Sequence, residues 1–146
     1  MIEVKKISTK DTITVRNLVL RKGKPPETCF FEGDNLMSTK HFGLVMNENI
    51  IGVVSVFRNI NTNFANQNQF QIRGMAILEE HQKMGFGKLL IQKCEVDIFN
   101  ENGKLIWFNA RENAVAFYEK CGYVKTGNIF NIDTVGFHYL MMKTLE

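Results

Sequence analysis

Residues 79–97 read EEHQKMGFGKLLIQKCEVD, and within them Gly85 and Gly87 stand one residue apart. The residues from 86 onward carry apolar side chains at helical spacing, and Leu89 is expected on the same stripe. The spaced positions are Phe86, Leu90, Cys94 and Ile98. The run before this segment, FQIRGMAIL at 70–78, is typical of a buried strand. The sequence therefore predicts a strand that leads through a glycine-containing turn into a helix.

A turn of this kind can bind an anion. The first N–H groups of a helix lack partners inside the helix and carry the positive end of its dipole. Glycine at 85 and 87 would let a phosphate approach the backbone, because no Cβ stands in the way. Two familiar nucleotide-binding motifs do not fit. A dinucleotide fingerprint needs a third glycine where Leu90 stands, and a Walker-type loop needs Ser or Thr after Gly87-Lys88, where Leu89 stands. The alternative is an ordinary helix start with two structural glycines.

Working outward, the remaining chain alternates strands and helices. Strands are predicted at 2–7, within 41–59 as a pair joined at 47–49, and at 104–110, 123–132 and 135–145. A helix within 10–23 has Asp11 or Thr12 as its expected N-cap. Ala114, Phe117, Tyr118 and Cys121 form the apolar stripe of another helix. This order predicts one α/β domain over 1–146, with a mixed antiparallel and parallel sheet flanked by helices.

Composition excludes several classes of function. A hydrophobic share of 45% and a charged share of 23% are those of a globular protein. No apolar run approaches the ~20 residues of a membrane span, and no signal peptide is visible, so we predict a cytoplasmic protein without a membrane partner. The net charge of +3 comes without a basic stripe, which argues against nucleic acid. Three dispersed cysteines without a C-x-x-C pair argue against a disulfide framework and a metal site.

Three segments resemble motifs of the GNAT N-acetyltransferase superfamily. RGMAI at 73–77, followed by Gln82-x-x-Gly85-x-Gly87, is similar to the family's strand and helix start. NARENAVAFYEKCGY at 109–123 is similar to its later helix, with Tyr123 in place of the final Phe, and 136–143 is similar to its last strand. The resemblance covers about residues 2 to 144. It implies a GNAT-like acyltransferase fold with a twisted mixed sheet.

The resemblance also implies acetyl-CoA as cosubstrate, lying between two parallel strands that splay apart, here 70–77 and 104–109. Backbone N–H groups from Gln82 to Lys88 would hold the pyrophosphate, and Met75 and Ile77 would pair with the pantetheine arm as an added strand does. Gly74 marks either a kink or a close approach to the backbone. The implied cofactor-binding residues are Met75, Ala76, Ile77, Gln82, Lys83, Met84, Gly85, Phe86, Gly87, Lys88, Asn109, Asn113 and Tyr118.

The implied reaction is transfer of the acetyl group to a primary amine by direct attack. An ordinary amine has a pKa of ~10.4, so a base must take its proton before it attacks. The N–H near Met75 could stabilise the oxyanion. Tyr118 matches the family position that often protonates the departing thiolate; the alternative is a tyrosine that merely packs beside Phe117.

The general base is left open among Glu79, Glu80, His41 and His138. The two glutamates precede a helix, where acidic residues also favour the dipole, and a histidine on a strand is more often packed than catalytic. Arg73 could meet an acidic acceptor or form a surface salt bridge. Arg111 stands seven residues before Tyr118, where many members carry Asn; it either reaches a CoA phosphate or leaves that contact absent.

The acceptor, a small-molecule or protein amine, has no decisive motif in this sequence. We expect its specificity to reside in 24–41 and 59–69, both irregular. A homodimer through the last strands is a further hypothesis. The alternative to an enzyme is a non-catalytic module that binds acetyl-CoA as a sensor or regulator.

Overall fold

The computed structural model describes residues 1–133 and 135–145. Its strands are β1 (Ile2–Ile7), β2 (Lys40–Met46), β3 (Asn49–Phe57), β4 (Gln69–Ile77), β5 (Leu105–Arg111), β6 (Val124–Ile132) and β7 (Gly136–Thr144). Its α-helices are α1 (Thr9–Val15), α2 (Phe86–Asn100) and α3 (Val115–Lys120). A π-helical turn, Arg16–Leu20, continues α1, and 3-10 turns occupy Pro26–Cys29, Glu79–His81 and Glu112–Ala114.

The strands hydrogen-bond in the order β1-β2-β3-β4-β5-β7-β6. The pairs β1–β2, β2–β3, β5–β7 and β6–β7 are antiparallel. The pair β4–β5 is parallel, over Gln69–Gln71 and Leu105–Trp107. The predicted fold class, a mixed sheet with helices in an α/β protein, is confirmed.

By its internal contacts the chain divides into two compact units. The first consists of residues 1–58 and 72–97, and the second of residues 59–71 and those from 98 onward. A single domain over 1–146 stays a prediction, and its last residue lies outside the described part of the chain.

The first unit is built on β1 to β4 and on α1 and α2. α1 begins with a capping box: the Ser8 hydroxyl accepts a hydrogen bond from the Asp11 N–H, and the Asp11 carboxylate accepts one from the Ser8 N–H. The predicted N-cap, Asp11 or Thr12, is therefore wrong, because the helix begins earlier. Leu89 was predicted to lie on the apolar stripe of α2, but it is 41% exposed. The buried face of the helix turns instead toward Leu90 and Ile91, which are 0% and 1% exposed.

The second unit is organised around β5, β6 and β7 and an asparagine-rich segment, 59–68. Gln69 is buried, and its Nε2 donates to the carbonyls of Asn61, Phe64 and Asn66. The Trp107 Nε1–H donates to the Asn59 carbonyl at 3.0 Å. These bonds give an irregular segment a defined conformation, because buried side-chain donors would be costly without partners.

A buried ion pair stands in the core of the first unit. Arg16 is 0% exposed, and its two terminal nitrogens bind the two Asp34 carboxylate oxygens at 2.7 and 3.0 Å. The same nitrogens donate to the Cys29 carbonyl and the Ser55 hydroxyl, so the four Nη hydrogens have partners. The pair thus ties the segment 26–34 to the π-helical turn and to β3.

We predict that Asp34→Asn lowers the free energy of unfolding by about 3–5 kcal/mol, because it leaves the buried Arg16 charge uncompensated. The matched control is Asp97→Asn, which removes a part-buried partner of Lys40 at 3.0 Å and should cost about 1 kcal/mol or less. Denaturant titration of both variants checks this. Equal losses would contradict the importance assigned to the buried pair.

The same pair should make stability depend on acid pH. Burial raises the pKa of Asp34, but the hydrogen bonds from Arg16 and the Phe31 N–H and the Arg16 charge outweigh it, so the pKa lies below its ordinary value. A carboxyl whose folded pKa is depressed contributes stability that is complete above its unfolded pKa and is lost as pH falls through the folded pKa. Stability should therefore drop below about pH 4. Asp34→Asn should show a shallower drop in the same titrations.

Candidate active site

The glycine pair lies where strand β4 has ended and α2 begins. Gly85 has φ +83°, a backbone conformation that favours glycine, although an added Cβ would meet nothing within 4 Å. Gly87 lies inside α2 and has no positive φ. Because Gly87 is the second residue of the helix and its φ is not positive, the backbone conformation explains Gly85 but not Gly87. An approach of a ligand to the first turn would explain Gly87.

The surroundings of this turn favour a negative ligand. Lys83, Met84, Gly85 and Lys88 are exposed, and Phe86 and Gly87 are half-buried. The first turn of α2 contains no acidic residue. Lys83 itself has φ +64°, so the backbone departs twice from the usual region within three residues. Two cations beside a helix N-terminus are an arrangement that attracts phosphate.

Strand β4 supplies the neighbouring predicted residues. Ala76 is buried in the core with Val15 and Val53, whereas Met75 and Ile77 are half-buried. The Ile77 carbonyl accepts a hydrogen bond of 2.9 Å from the Gln82 side chain. That carbonyl retains a second lone pair, so a bond with pantetheine there stays a prediction.

Gly74 is required by its surroundings. Its φ is +66°, and an added Cβ would lie 2.9 Å from Phe31 Cε2 and 3.3 Å from Arg16 Nε. The positive φ and the close approach of two protein side chains therefore explain this glycine, and an approach of a ligand to its backbone stays a prediction.

The two candidate glutamates, Glu79 and Glu80, are exposed on the 3-10 turn Glu79–His81. Glu80 and His81 also line a cavity of about 840 Å³ with residues of α1 and of the turn at 47–48. Gln82 to Lys88 do not line this cavity. The assignment of cofactor residues therefore rests on the local backbone and not on this cavity.

Both candidate histidines are buried and hydrogen-bonded. The Nδ1 of His41 lies 2.6 Å from the Ser55 hydroxyl and its Nε2 lies 3.0 Å from the Asp34 carbonyl. The Nδ1 of His138 lies 2.8 Å from the Gly136 carbonyl. Both histidines are thus packed and hydrogen-bonded, as a histidine on a strand usually is, and the general base stays open among the four residues.

The remaining predicted residues belong to the second unit. Asn109, Arg111 and Asn113 are exposed, the first two on β5 and the third on the 3-10 turn that follows. Tyr118 is 8% exposed and packs on Phe108, with ring centroids 4.3 Å apart, and on Phe117 at 5.0 Å. A buried, well-packed tyrosine is compatible with both hypotheses made for it.

Arg16 is the residue that sequence reasoning missed. An arginine in a helical stretch is ordinarily read as exposed, and its pairing with Asp34 depends on the fold. Among the residues described, Arg16 Nε is the buried side-chain atom without a hydrogen-bond partner. No signal in the sequence marks it.

Comparison with known proteins defines the class. A sequence model of the acetyltransferase (GNAT) family matches residues 13–123. The chain therefore belongs to the GNAT acetyltransferase family, and the resemblance seen in the motifs is confirmed. This membership makes it an acetyl-CoA-dependent N-acetyltransferase.

Individual relatives agree. The chain is 30% identical over its full length to the uncharacterised N-acetyltransferase YitI of Bacillus subtilis (strain 168), of which 98% is covered. A crystal structure described as an N-acetyltransferase from Lactobacillus plantarum has a TM-score of 0.83 at 16% identity, with 99% of each chain covered. An aminoglycoside 6'-N-acetyltransferase complexed with coenzyme A has a TM-score of 0.78 at 13% identity, with 97% of this chain and 96% of that one covered. At these identities the two structures confirm the fold.

Gly87→Ala gives a test of the glycine pair. We expect it to keep or raise the free energy of unfolding, by up to about 1 kcal/mol, and to weaken acetyl-CoA binding about tenfold. Gly85→Ala is the contrast, because its positive φ should cost about 1 kcal/mol of stability. Thermal unfolding and calorimetric titration of each variant check both effects. Unchanged affinity in Gly87→Ala would show that this glycine does not serve the ligand.

Proposed function

We propose that this enzyme transfers the acetyl group of acetyl-CoA to a primary amine of a small-molecule or protein acceptor by direct attack. The carbonyl carbon forms a bond to the amine nitrogen, the carbon–sulfur bond breaks, and the amine proton leaves to a base. The observation that carries the proposal is Gly87, a helical glycine that the backbone does not require, next to the exposed Lys83 and Lys88.

The residues fit acetyl-CoA by their chemistry. We assign the diphosphate to the backbone N–H groups from Gln82 to Lys88, with the two lysines adding attraction. The pantetheine arm is assigned to the backbone of Met75 and Ile77. Asn109 and Asn113 are retained as cofactor-binding candidates because both side chains are exposed.

The chemistry needs a base, an oxyanion donor and an acid. Glu79 or Glu80 would take the amine proton through water, since both carboxylates are exposed. The Met75 N–H would stabilise the oxyanion. Tyr118 would protonate the departing thiolate, and its contacts with Phe108 and Phe117 restrict the ring to one position.

Calorimetric titration with acetyl-CoA, 3′-dephospho-CoA and adenosine tests the cofactor assignment. Micromolar binding of acetyl-CoA that is lost for adenosine would support the phosphate site at 82–88. No detectable binding of acetyl-CoA would overturn it. Binding without acetylation of any amine in a broad panel would instead favour the sensor.

Location and assembly remain proposals. No helix in the described part of the chain is long and apolar enough to cross a membrane. We propose a cytoplasmic enzyme, and a homodimer through β6 and β7 is the hypothesis for its assembly.

Tyr118→Phe should lower kcat roughly a hundredfold and change the shape of its pH profile, because it removes the proposed acid. The ring and its aromatic packing are retained, so acetyl-CoA affinity should change less than kcat does, by no more than the loss of one hydroxyl contact with the cofactor. Tyr139→Phe is the matched control, since Tyr139 is half-buried on β7 in the same unit. A normal kcat in Tyr118→Phe across pH would reduce Tyr118 to a packing residue.

A further inference from the structure

Arg73, on β4, is a half-buried guanidinium that has no hydrogen bond or ion pair within residues 1–133 and 135–145. It lies over two aromatic rings, 4.6 Å from the Phe31 centroid and 5.4 Å from that of Phe57. Burial lowers its pKa, the direction expected when a charge loses water without full compensation. The surface salt bridge that the sequence allowed is therefore not what holds this side chain.

A second arginine lies on the same ring as Arg73. Arg16 also stacks on Phe31, with its guanidinium carbon 3.8 Å from the ring centroid, and its buried Nε has no hydrogen-bond partner. That Nε is enclosed by protein, since an added Cβ at Gly74 would lie 3.3 Å from it. Because Asp34 neutralises Arg16, the positive charge left without an ion pair in this group is that of Arg73.

The group fits a monoanion better than a phosphate. One unpaired guanidinium offers a planar fork that matches a carboxylate in bidentate geometry. The carboxylates of Glu32 and Asp34 already offset part of the charge of Arg73, so this group suits a single negative charge better than the two charges of a phosphate. The phosphates of acetyl-CoA are assigned to Gln82–Lys88, well beyond Arg73 along the chain.

The position along β4 connects this anion site to the reaction. Arg73 is two residues before Met75, so their Cα atoms lie within about 7 Å. Phe31, the ring shared by both arginines, belongs to the 24–41 segment in which acceptor specificity is expected. Its N–H donates to Asp34 at 2.7 Å, so the buried ion pair also positions this ring.

We propose that Arg73 binds the carboxylate of the acceptor, and that the acceptor is a small amine that also carries a carboxylate, of the amino acid type. Phe31 supplies the wall against which the guanidinium of Arg73 lies. This inference rests on the proposed function, since it names the substrate class of the same site.

The test compares free amino acids with their carboxamides as acceptors, measuring acetyl-CoA-dependent thiol release. The wild type should show kcat/KM about tenfold or more higher for the acids. The carboxylate of an amino acid raises the pKa of its amine above that of the carboxamide. The amino acid is therefore harder to deprotonate, so deprotonation cannot be the cause of a preference for the acids. Arg73→Gln should lower kcat/KM for the amino acids to the value found for the carboxamides, mainly by raising KM. Arg73→Lys should restore part of the preference for the acids.

The control is Lys5→Gln, which removes the same charge from an exposed position on β1 and should leave the preference intact. Amine acetylation without any acid preference, or equal losses on acids and amides in Arg73→Gln, would overturn this inference and leave the proposed function standing. Failure of acetyl-CoA to bind would instead remove the proposed function.

A second measurement needs no variant and no turnover. Calorimetry of the wild type with coenzyme A present should show N-acetylated amino acids binding about tenfold or more tighter than their carboxamides. Equal binding, or no binding of either product, would overturn the assignment of Arg73 even if Arg73→Gln failed to fold.

Discussion

The first unit depends on one interaction, the ion pair between Arg16 and Asp34. A charge with no exposure to water is tolerated only when hydrogen bonds replace its hydration, and four bonds from the Arg16 terminal nitrogens do so. Because their acceptors lie at Cys29, Asp34 and Ser55, one side chain joins a helix, a loop and a strand.

The same constraint connects the core to the candidate chemistry. Asp34 accepts from the Phe31 N–H as well as from Arg16, so the carboxylate that neutralises the buried charge also orients the ring over which Arg73 lies. His41 completes this network through Ser55 and the Asp34 carbonyl. A histidine that looked available for catalysis in the sequence is thereby explained as part of the support.

The strands and helices were predictable from sequence where the pattern of apolar residues depends only on neighbours in the chain. The two apolar runs of β2 and β3 with the polar turn between them, the apolar stripe of α2 and the order of strands and helices follow from residues close together in the chain. The turn that leads from β4 into α2 was predictable as well, because the glycine pair and the helix start are adjacent in the chain; its binding of an anion stays a prediction. The N-cap at Ser8 was missed, since Asp11 and Thr12 are equally good cap residues by type.

The ion pair could not be predicted, because its partners are 18 residues apart and neither type is ordinarily buried. The burial of both histidines and the exposure of Leu89 also depend on tertiary packing. For the same reason the sequence could name Arg73 as a candidate contact for an acidic group but could not decide between that role and a surface salt bridge.

The segment from Cys29 to Asp34 is fixed by hydrogen bonds at its two ends, and the side chains between them are partly exposed to solvent. The Cys29 carbonyl and the Asp34 carboxylate both bind Arg16, whereas Phe30 and Glu32 are exposed. Substitutions at positions 30 and 32 therefore cost the core little, while each would alter the surface beside Phe31. Such a loop can diversify during evolution without endangering folding, so a lineage could exchange one acceptor for another through this short stretch and leave the acetyl-transfer residues unchanged.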